Sequence, residues 1–348
     1  MDHLFTEALL MVVLVLFANK VPIAAAYPAL FAFGDSILDT GNNNNLQTLT
    51  KCNYPPYGKD FNRGTPTGRF SDGKVPSDLI AGALKIKDTL PAYNDPNLKV
   101  QELPTGVCFA SGGSGLDNQT SSMMRVISLS DQLQMFKDYI GKLTSSVGQQ
   151  GASDIISNSL FLLSAGNNDI AIAYSFSSRR KIPFPDYANL LVGSASSFLK
   201  DIYELGARHV WVLSTLPLGC LPGGRATSRG LCNEMANEHA IQFNRMLQQQ
   251  INSITTSTPN YKVDFVDVYT PLLSIIQNPI GSGFINAVSG CCGGTFLAFG
   301  ELCNLLTNQC LDPSTYVFWD FAHPSEKAYQ IIVSDIIQKH NSFVTSSN

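Results

Sequence analysis

Short runs of consecutive apolar residues recur along the chain, and longer stretches with apolar residues at helical spacing lie between them. Continuous apolar runs are typical of strands buried on both faces of a parallel sheet, whereas strands with one wet face alternate apolar and polar residues. The pattern therefore predicts buried strands at residues 28–34, 107–110, 160–164, 209–213 and 263–268.

The stretches between these runs predict amphipathic helices. The best candidates are residues 76–84, 129–143, 187–205, 233–254 and 325–339. Strands that alternate with helices favour βαβ units and an open parallel α/β sheet with right-handed crossovers. Ligands of such sheets bind beyond the carboxyl ends of the strands, so any chemistry is expected in the loops at that edge.

Composition narrows the class of function. The 348 residues are 44% hydrophobic and only 14% charged, and the net charge is −4. A chain of this kind can bury a sizeable core and is unlike a disordered segment. Lys and Arg are not clustered into a basic stripe, which argues against a nucleic-acid partner.

The N-terminus has the pattern of a secretory signal peptide. Residues 8–18 form an eleven-residue apolar run, shorter than the ~20 residues that a membrane-spanning helix needs. Small residues at 24–26 then offer a cleavage site. A signal peptide usually has a positively charged residue before its apolar run, but this chain has no Lys or Arg there. An uncleaved membrane anchor is therefore the alternative to a cleaved signal peptide. We expect a signal peptide at 1–26, a single secreted domain at 27–348, and no transmembrane segment after cleavage.

Two further features fit export to an oxidising compartment, where disulfides form. The eight cysteines lack the C-x₂-C pairs of a zinc site. Cys220 and Cys232 bracket a glycine-rich loop and are expected to pair. We also expect a disulfide that joins either Cys291 or Cys292 to either Cys303 or Cys310. The sequon Asn118-Gln119-Thr120 is consistent with N-glycosylation at Asn118.

Gly34-Asp35-Ser36 stands where the first predicted strand ends. A serine at this place is exposed at the rim of the sheet, and its backbone N–H can point towards a bound carbonyl. Gly, Asp and Ser are also common turn residues, so the triplet alone is compatible with a plain turn. Ser36 is the candidate nucleophile of this edge.

Glycine- and asparagine-rich loops follow the second and third predicted strands. Residues 111–115 (SGGSG) can present backbone N–H groups to an oxyanion, because glycines let the chain approach a ligand closely. In residues 166–169 (GNND), an asparagine amide is a neutral donor that suits the same task. A flexible loop and an Asx turn or helix cap are the structural alternatives.

Asp320 and His323 lie ahead of the last predicted helix. A serine hydroxyl needs a base at neutral pH, and histidine is the usual one. An aspartate fixes the histidine tautomer and stabilises the imidazolium. A helix N-cap region with a chance histidine is the alternative. The four signals occur together, however, three directly after strands and one before the last helix, and this combination favours a catalytic site.

Six stretches that together span nearly the whole mature chain carry a resemblance to a known family. They are FAFGDSILDTGNNN, PTGRFSDGKVPSDLIA, GVCFASGGSG, SAGNNDI, LPLGCLP and YVFWDFAHPS. The sequence closely resembles the plant GDSL esterase/lipase family, within the SGNH hydrolases. The resemblance implies a flavodoxin-like three-layer α/β/α sandwich with a central five-stranded parallel sheet.

The resemblance also implies a set of site residues. Ser36, Asp320 and His323 would form a catalytic triad, with no metal or cofactor. The oxyanion donors would be the Ser36 N–H, the Gly113 N–H and the Asn168 side chain. Cys108 departs from the family pattern, which usually has Asn five residues before Gly113. That Asn is expected to support the loop, so the departure bears on the oxyanion geometry rather than on the triad.

The predicted activity is hydrolysis of small-molecule or lipid acyl esters through an acyl-enzyme, and three other functions are alternatives. A metal-dependent phosphoesterase would use G-D-x-x-D, but Asp35 to Asp39 is one residue too long and the histidine ligands are missing. A non-catalytic secreted binding protein conflicts with the presence of every catalytic residue. An acyltransferase would use the same triad with an alcohol in place of water, and the sequence does not separate it from a hydrolase.

Overall fold

The central sheet consists of parallel strands whose carboxyl ends meet at one edge. The computed structural model describes residues 27–293 and 303–340, so the predicted signal peptide lies outside the described residues. The sheet has the order β1-β2-β3-β4, formed by β1 Leu30–Gly34, β2 Leu160–Ser164, β3 His209–Leu213 and β4 Lys262–Val266. The strands are in register, because the first residue of each strand lies beside the first residue of the next.

The segment at 107–110 takes the place of the fifth predicted strand without becoming a regular one. Cys108 forms a parallel bridge with Ala32, and the Phe109 N–H donates to Ala32 O over 2.7 Å. The pairing ends at Ser111, whose N–H donates to Gly34 O over 2.9 Å, because the chain turns at the next residue, Gly112. With this segment at the β1 edge, the strand order is flavodoxin-like, and the predicted fold class is confirmed.

All five predicted helices are present, and shorter ones lie between them. The second of the five, predicted at 129–143, is longer than expected and continues to Asn158, although Gly148 (φ 78°) kinks it. None of the helices in residues 27–293 and 303–340 is long and apolar enough to cross a membrane. The helices are α1 Pro76–Ala83, α2 Asn118–Met124, α3 Leu129–Asn158, α4 Phe184–Glu204, α5 Pro222–Ala226, α6 Glu234–Ser257, α7 Tyr269–Gln277 and α8 Glu326–His340.

The helices form two layers around the sheet. In one layer α4 packs between α3 and α6, and in the other α8 packs between α1 and α7. The centre of the core is aromatic: Phe31 and Phe33 of β1 contact Phe136 of α3 and Phe161 of β2, and all four are buried. Fully burying one such side chain contributes about 1.5–3 kcal/mol, so this group anchors β1 in the sheet.

A second, smaller sheet supports the C-terminal part of the site. It pairs β5 Asn286–Gly290 with β6 Tyr316–Phe318. Cys220 pairs with Cys232 as predicted. Two further disulfides join Cys291 to Cys310 and Cys292 to Cys303. The cysteines of these two bonds pack with aromatic side chains into a group separate from the main core, here called the disulfide cluster, which includes Cys52, Tyr57, Phe70, Cys291, Cys292, Cys303 and Trp319.

Candidate active site

Ser36 follows β1 at the edge where the strands end. The Asp35 N–H donates to Ser164 O over 2.9 Å, so the chain stays against β2 for one residue beyond β1. Gly34 has φ +117°, and a Cβ at this position would overlap the Ser164 carbonyl. A glycine is therefore required here, and the sharp turn that it permits brings Ser36 to the rim.

His323 connects Ser36 to Asp320 through hydrogen-bond distances on both sides of its ring. The Ser36 Oγ lies 2.8 Å from His323 Nε2, and His323 Nδ1 lies 2.8 Å from Asp320 Oδ2. Ser36 and His323 come from positions 287 residues apart in the chain. Ser36 is 8% exposed and His323 is 7% exposed, so both side chains are largely buried but still reach solvent. This is the arrangement in which a histidine can take a serine proton and be oriented by a carboxylate.

Asp320 is held by a tight local turn. Its Oδ1 accepts the backbone N–H groups of Ala322 and His323, each at 2.8 Å, which is the pattern of an Asx turn. The Tyr57 hydroxyl donates to its Oδ2 over 2.7 Å. Burial acts to raise the pKa of Asp320, but attraction to His323 and these hydrogen bonds outweigh it and lower the pKa below its ordinary value. The carboxyl is therefore ionised at neutral pH.

The glycine-rich loop at residues 111–115 offers a backbone donor, the Gly113 N–H. Gly113 has φ +83°, a left-handed conformation that favours glycine. Asp39 Oδ2 accepts the Gly112 N–H over 2.8 Å, and Asn43 donates to Gly112 O over 2.8 Å. Among the residues that the structure describes, the N–H groups of Ser36 and Gly113 donate to no protein acceptor. Both are thus available to an oxyanion.

Asn168 follows β2 and reaches the same loop. Its Nδ2 donates to Ser114 O over 2.9 Å, which uses one of its two N–H bonds and leaves the other for a ligand. The next residue, Asp169, is fully buried and accepts the N–H groups of Leu116 and Asp117 at 2.8 and 3.0 Å. The loops that hold Gly113 and Asn168, two of the three predicted oxyanion donors, are therefore tied together.

Gln132 is a supporting residue that the motifs did not reveal. It is buried on α3, where its Oε1 accepts the Gly34 N–H at 2.8 Å and its Nε2 donates to Gly34 O at 2.9 Å. The same Nε2 lies 3.1 Å from the Ser114 Oγ. One side chain thus connects the turn before Ser36 with the glycine-rich loop. A signal was present in the sequence, because Gln132 is a polar residue on the apolar face that carries Leu129, Leu133 and Phe136.

Aromatic side chains from residues 54–70 were also missed. The Phe70 ring lies 5.0 Å from the His323 ring, and Phe70 follows Arg69, which makes a two-point ion pair with buried Asp78. Tyr57 contacts Asp320 from the same region. No local sequence pattern predicts either contact, because Asp320 and His323 each lie more than 250 residues from the aromatic residue that they contact.

Two other predicted positions lie outside this constellation. Cys108 is buried, its Sγ lies 3.1 Å from Leu38 O, and burial raises the pKa of its thiol to about 12. It supports the edge segment and does not reach Ser36 by any contact among the described residues. Asn118, the predicted glycosylation site, is exposed on the first turn of α2. The Thr120 hydroxyl of that sequon is buried and donates to Asp169 over 2.6 Å.

Comparison with known proteins agrees with this architecture. The model of the GDSL-like lipase/acylhydrolase family matches residues 30–336. The chain is 49% identical over 319 residues to the GDSL esterase/lipase At5g63170 of Arabidopsis thaliana, covering 91% of this chain and 92% of that protein. It is 46% identical over 333 residues to the GDSL esterase/lipase EXL3 of the same plant, covering 94% and 92%. The chain therefore belongs to the GDSL-like lipase/acylhydrolase family and is a carboxylic ester hydrolase.

Proposed function

We propose that the protein is a secreted serine esterase that cleaves acyl esters through a covalent acyl-enzyme. The observation that carries this proposal is the unbroken hydrogen-bonded chain from the Ser36 Oγ through His323 to Asp320, with 2.8 Å at each junction. A serine hydroxyl becomes an effective nucleophile only when a base is within such reach. In this proposal Ser36 is the nucleophile, His323 the acid–base and Asp320 its orienting anion.

In the first half of the reaction, the Ser36 Oγ forms a bond to the ester carbonyl carbon while its proton passes to His323 Nε2. The carbonyl π electrons move to the oxygen, and the intermediate becomes tetrahedral. When it collapses, the bond from carbon to the alcohol oxygen breaks and His323 gives its proton to that oxygen. The alcohol leaves, and the acyl group remains on Ser36.

Water completes the cycle. It gives a proton to His323 as its oxygen bonds to the acyl carbon, and the Ser36 Oγ then leaves and recovers its proton from His323. Asp320 stays ionised throughout, since its role is to stabilise the imidazolium. The lowered pKa of Asp320 supports this role. The tetrahedral oxyanion of both halves would be held by the Ser36 N–H, the Gly113 N–H and the second N–H bond of Asn168 Nδ2.

Secretion is part of the proposal. It is supported by the apolar run at 8–18, by the small residues at 24–26 and by the three disulfides, which are typical of oxidising compartments. The exposed side chain of Asn118 is compatible with a glycan. Since the Thr120 hydroxyl of the sequon is buried in the fold, we infer that a glycan would be added before α2 docks against Asp169.

The test uses the full chain expressed in a eukaryotic secretory host. Protein recovered from the medium is assayed with p-nitrophenyl acetate, butyrate and palmitate in the presence of EDTA, and its N-terminus is sequenced. We expect chelator-insensitive hydrolysis, a first residue of Tyr27, and a Ser36→Ala variant whose kcat is about 10⁴–10⁶-fold lower.

The matched control is Ser145→Ala, which removes an exposed hydroxyl from α3 and should leave hydrolysis unchanged. A folded Ser36→Ala protein that still turns over ester would overturn the assignment of the nucleophile. Ester cleavage that proceeds only with an added alcohol as acceptor would point to a transferase instead.

A further inference from the structure

Tyr57 touches the proposed triad from a part of the chain to which the mechanism assigns no role. Its hydroxyl donates to Asp320 Oδ2 over 2.7 Å, and its side chain is buried in the disulfide cluster. The same Oδ2 atom lies 2.8 Å from His323 Nδ1. Tyr57 and His323 therefore share one carboxylate oxygen as acceptor.

The position of the Tyr57 ring is fixed by its aromatic neighbours. Ring centroids lie 5.6 Å away for Tyr54, 6.4 Å for Phe70 and 6.2 Å for Trp319, all in edge-on geometry. Trp319 directly precedes Asp320, and Phe70 packs on His323. The hydroxyl is thus held by the same side chains that surround the triad, so its hydrogen bond to Asp320 is part of a rigid arrangement.

Towards Asp320, Tyr57 can act only as a donor. Burial, and then the charge of Asp320, raise the pKa of its phenol well above the ordinary value, so the hydroxyl keeps its proton. Other titratable groups also face the pair. Cys52 and Tyr54 lie on the Tyr57 side and Tyr329 on α8, and the pKa of each is raised, chiefly by burial, so that all three stay neutral. Asp35 faces His323, and burial raises its pKa to about 6.

We propose that Tyr57 is a positioning residue of the ester hydrolysis, whose hydrogen bond to Asp320 limits how strongly that carboxylate stabilises the His323 imidazolium. A carboxylate that accepts a hydrogen bond is a weaker base than one that does not. When the Tyr57 hydroxyl is removed, Asp320 Oδ2 accepts a hydrogen bond from His323 alone. Its negative charge is then less neutralised, and it stabilises the imidazolium more strongly. His323 is then protonated, and unable to act as base, up to a higher pH. This inference rests on the proposed function of the triad.

The experiment compares the pH dependence of kcat/KM for p-nitrophenyl butyrate between wild type, Tyr57→Phe and Tyr54→Phe. Tyr57→Phe keeps the ring and its packing. We expect the acid limb of its profile to move up by about 0.5–1 pH unit, with KM unchanged, so that the rate falls more at pH 6 than at pH 9. Tyr54→Phe is the matched control, because its hydroxyl makes no hydrogen bond with the described residues, and its profile should coincide with wild type.

A second variant guards against a loss of folding. Replacement of Tyr57 by 3,5-difluorotyrosine keeps the shape of the side chain but makes the phenol a stronger donor. The acid limb should then move down in pH, opposite to the shift of Tyr57→Phe. Asp35 titrates alike in all variants, so it cannot produce opposite shifts. Coincident profiles for all variants would overturn the inference while the proposed triad stood, whereas an active Ser36→Ala variant would overturn the triad itself.

Discussion

Asn167 and Asn168 are adjacent, yet their side chains have different tasks. Asn167 uses both ends of its amide within the protein, since Nδ2 donates to Asp35 at 2.9 Å and Oδ1 accepts the Leu216 N–H at 3.0 Å. Asn168 donates one N–H bond to Ser114 O and keeps one free. The first amide holds two loops together, and the second can serve a ligand. Only the side-chain partners distinguish two residues that look alike in the sequence.

This difference leads to a prediction at the residue scale. Asn168→Ala should lower kcat by about 10²–10³-fold, because one donor to the developing oxyanion is lost. Its melting temperature should fall only slightly, because it loses the single hydrogen bond to Ser114 O. Asn167→Ala should instead lower the melting temperature, because Asp35 and the Leu216 N–H lose a buried partner. Steady-state kinetics and thermal unfolding of both variants check this. Equal effects on kcat with no difference in stability would contradict it.

The sequence predicted the residues that stand in motifs and missed those that support them. Ser36, Asp320 and His323 each follow or precede a recognisable element, so their meeting at one sheet edge could be expected. Tyr57 and Gln132 act through contacts that depend on how distant segments pack. The hydrogen bond between Tyr57 and Asp320 joins residues 263 positions apart and produces no periodic pattern in the sequence. Only the folded structure reveals such a contact.

At the scale of elements, α8 begins three residues after His323, at Glu326, and is capped from another segment. Asp72 Oδ1 accepts the N–H of Glu326, the first residue of α8, over 2.9 Å. The Ser71 Oγ lies 3.0 Å from the same oxygen and 3.1 Å from Pro324 O. These contacts satisfy a free N–H group of the helix end and fix the loop that carries His323.

The cap makes stability depend on pH. Burial raises the pKa of Asp72 from 3.8 to about 6, so the folded protein binds this proton more tightly than the unfolded chain does. The contribution is fully present below pH ~4 and is lost as the pH rises through ~6. Asp72→Asn keeps the acceptor and cannot ionise. Wild type should therefore lose stability relative to Asp72→Asn between pH 4 and 6, as measured by denaturant unfolding. An unfolding free energy that differs between the two proteins by a constant amount over this range, or a wild type that gains stability relative to Asp72→Asn as the pH rises, would contradict the account.

Elements were predictable where they are long or fully apolar. The apolar runs at 160–164 and 209–213 coincide with β2 and β3. Among the missed elements, the short helices α2 and α5 have seven and five residues, too few for a helical period to stand out. β5 and β6 were missed because their sequences, NAVSG and YVF, are too mixed or too short for a strand pattern. β6 carries the chain into Asp320 and is paired with β5, so the position of this carboxylate required the structure.

At the scale of the whole molecule, the aligned register of the sheet gathers the site. Because neighbouring strands begin and end side by side, the loops after β1 and β2 and the edge segment at 107–110 leave the sheet at one level. Ser36, Gly113 and Asn168 come from these loops. The disulfide cluster then holds the C-terminal loop against them, since the Cys292 N–H donates to Trp319 O over 2.7 Å.

The central claim is that Ser36 forms a covalent bond with the acyl group. A p-nitrophenyl alkylphosphonate tests it most directly, because attack by the Ser36 Oγ forms a stable phosphorus–oxygen bond as p-nitrophenolate leaves. Mass spectrometry of the intact protein and of its peptides should find one adduct per chain, on the peptide that contains Ser36, with activity lost in proportion and no adduct on Ser36→Ala. An adduct on another residue that persists in Ser36→Ala, or an active enzyme that takes no label, would contradict the account.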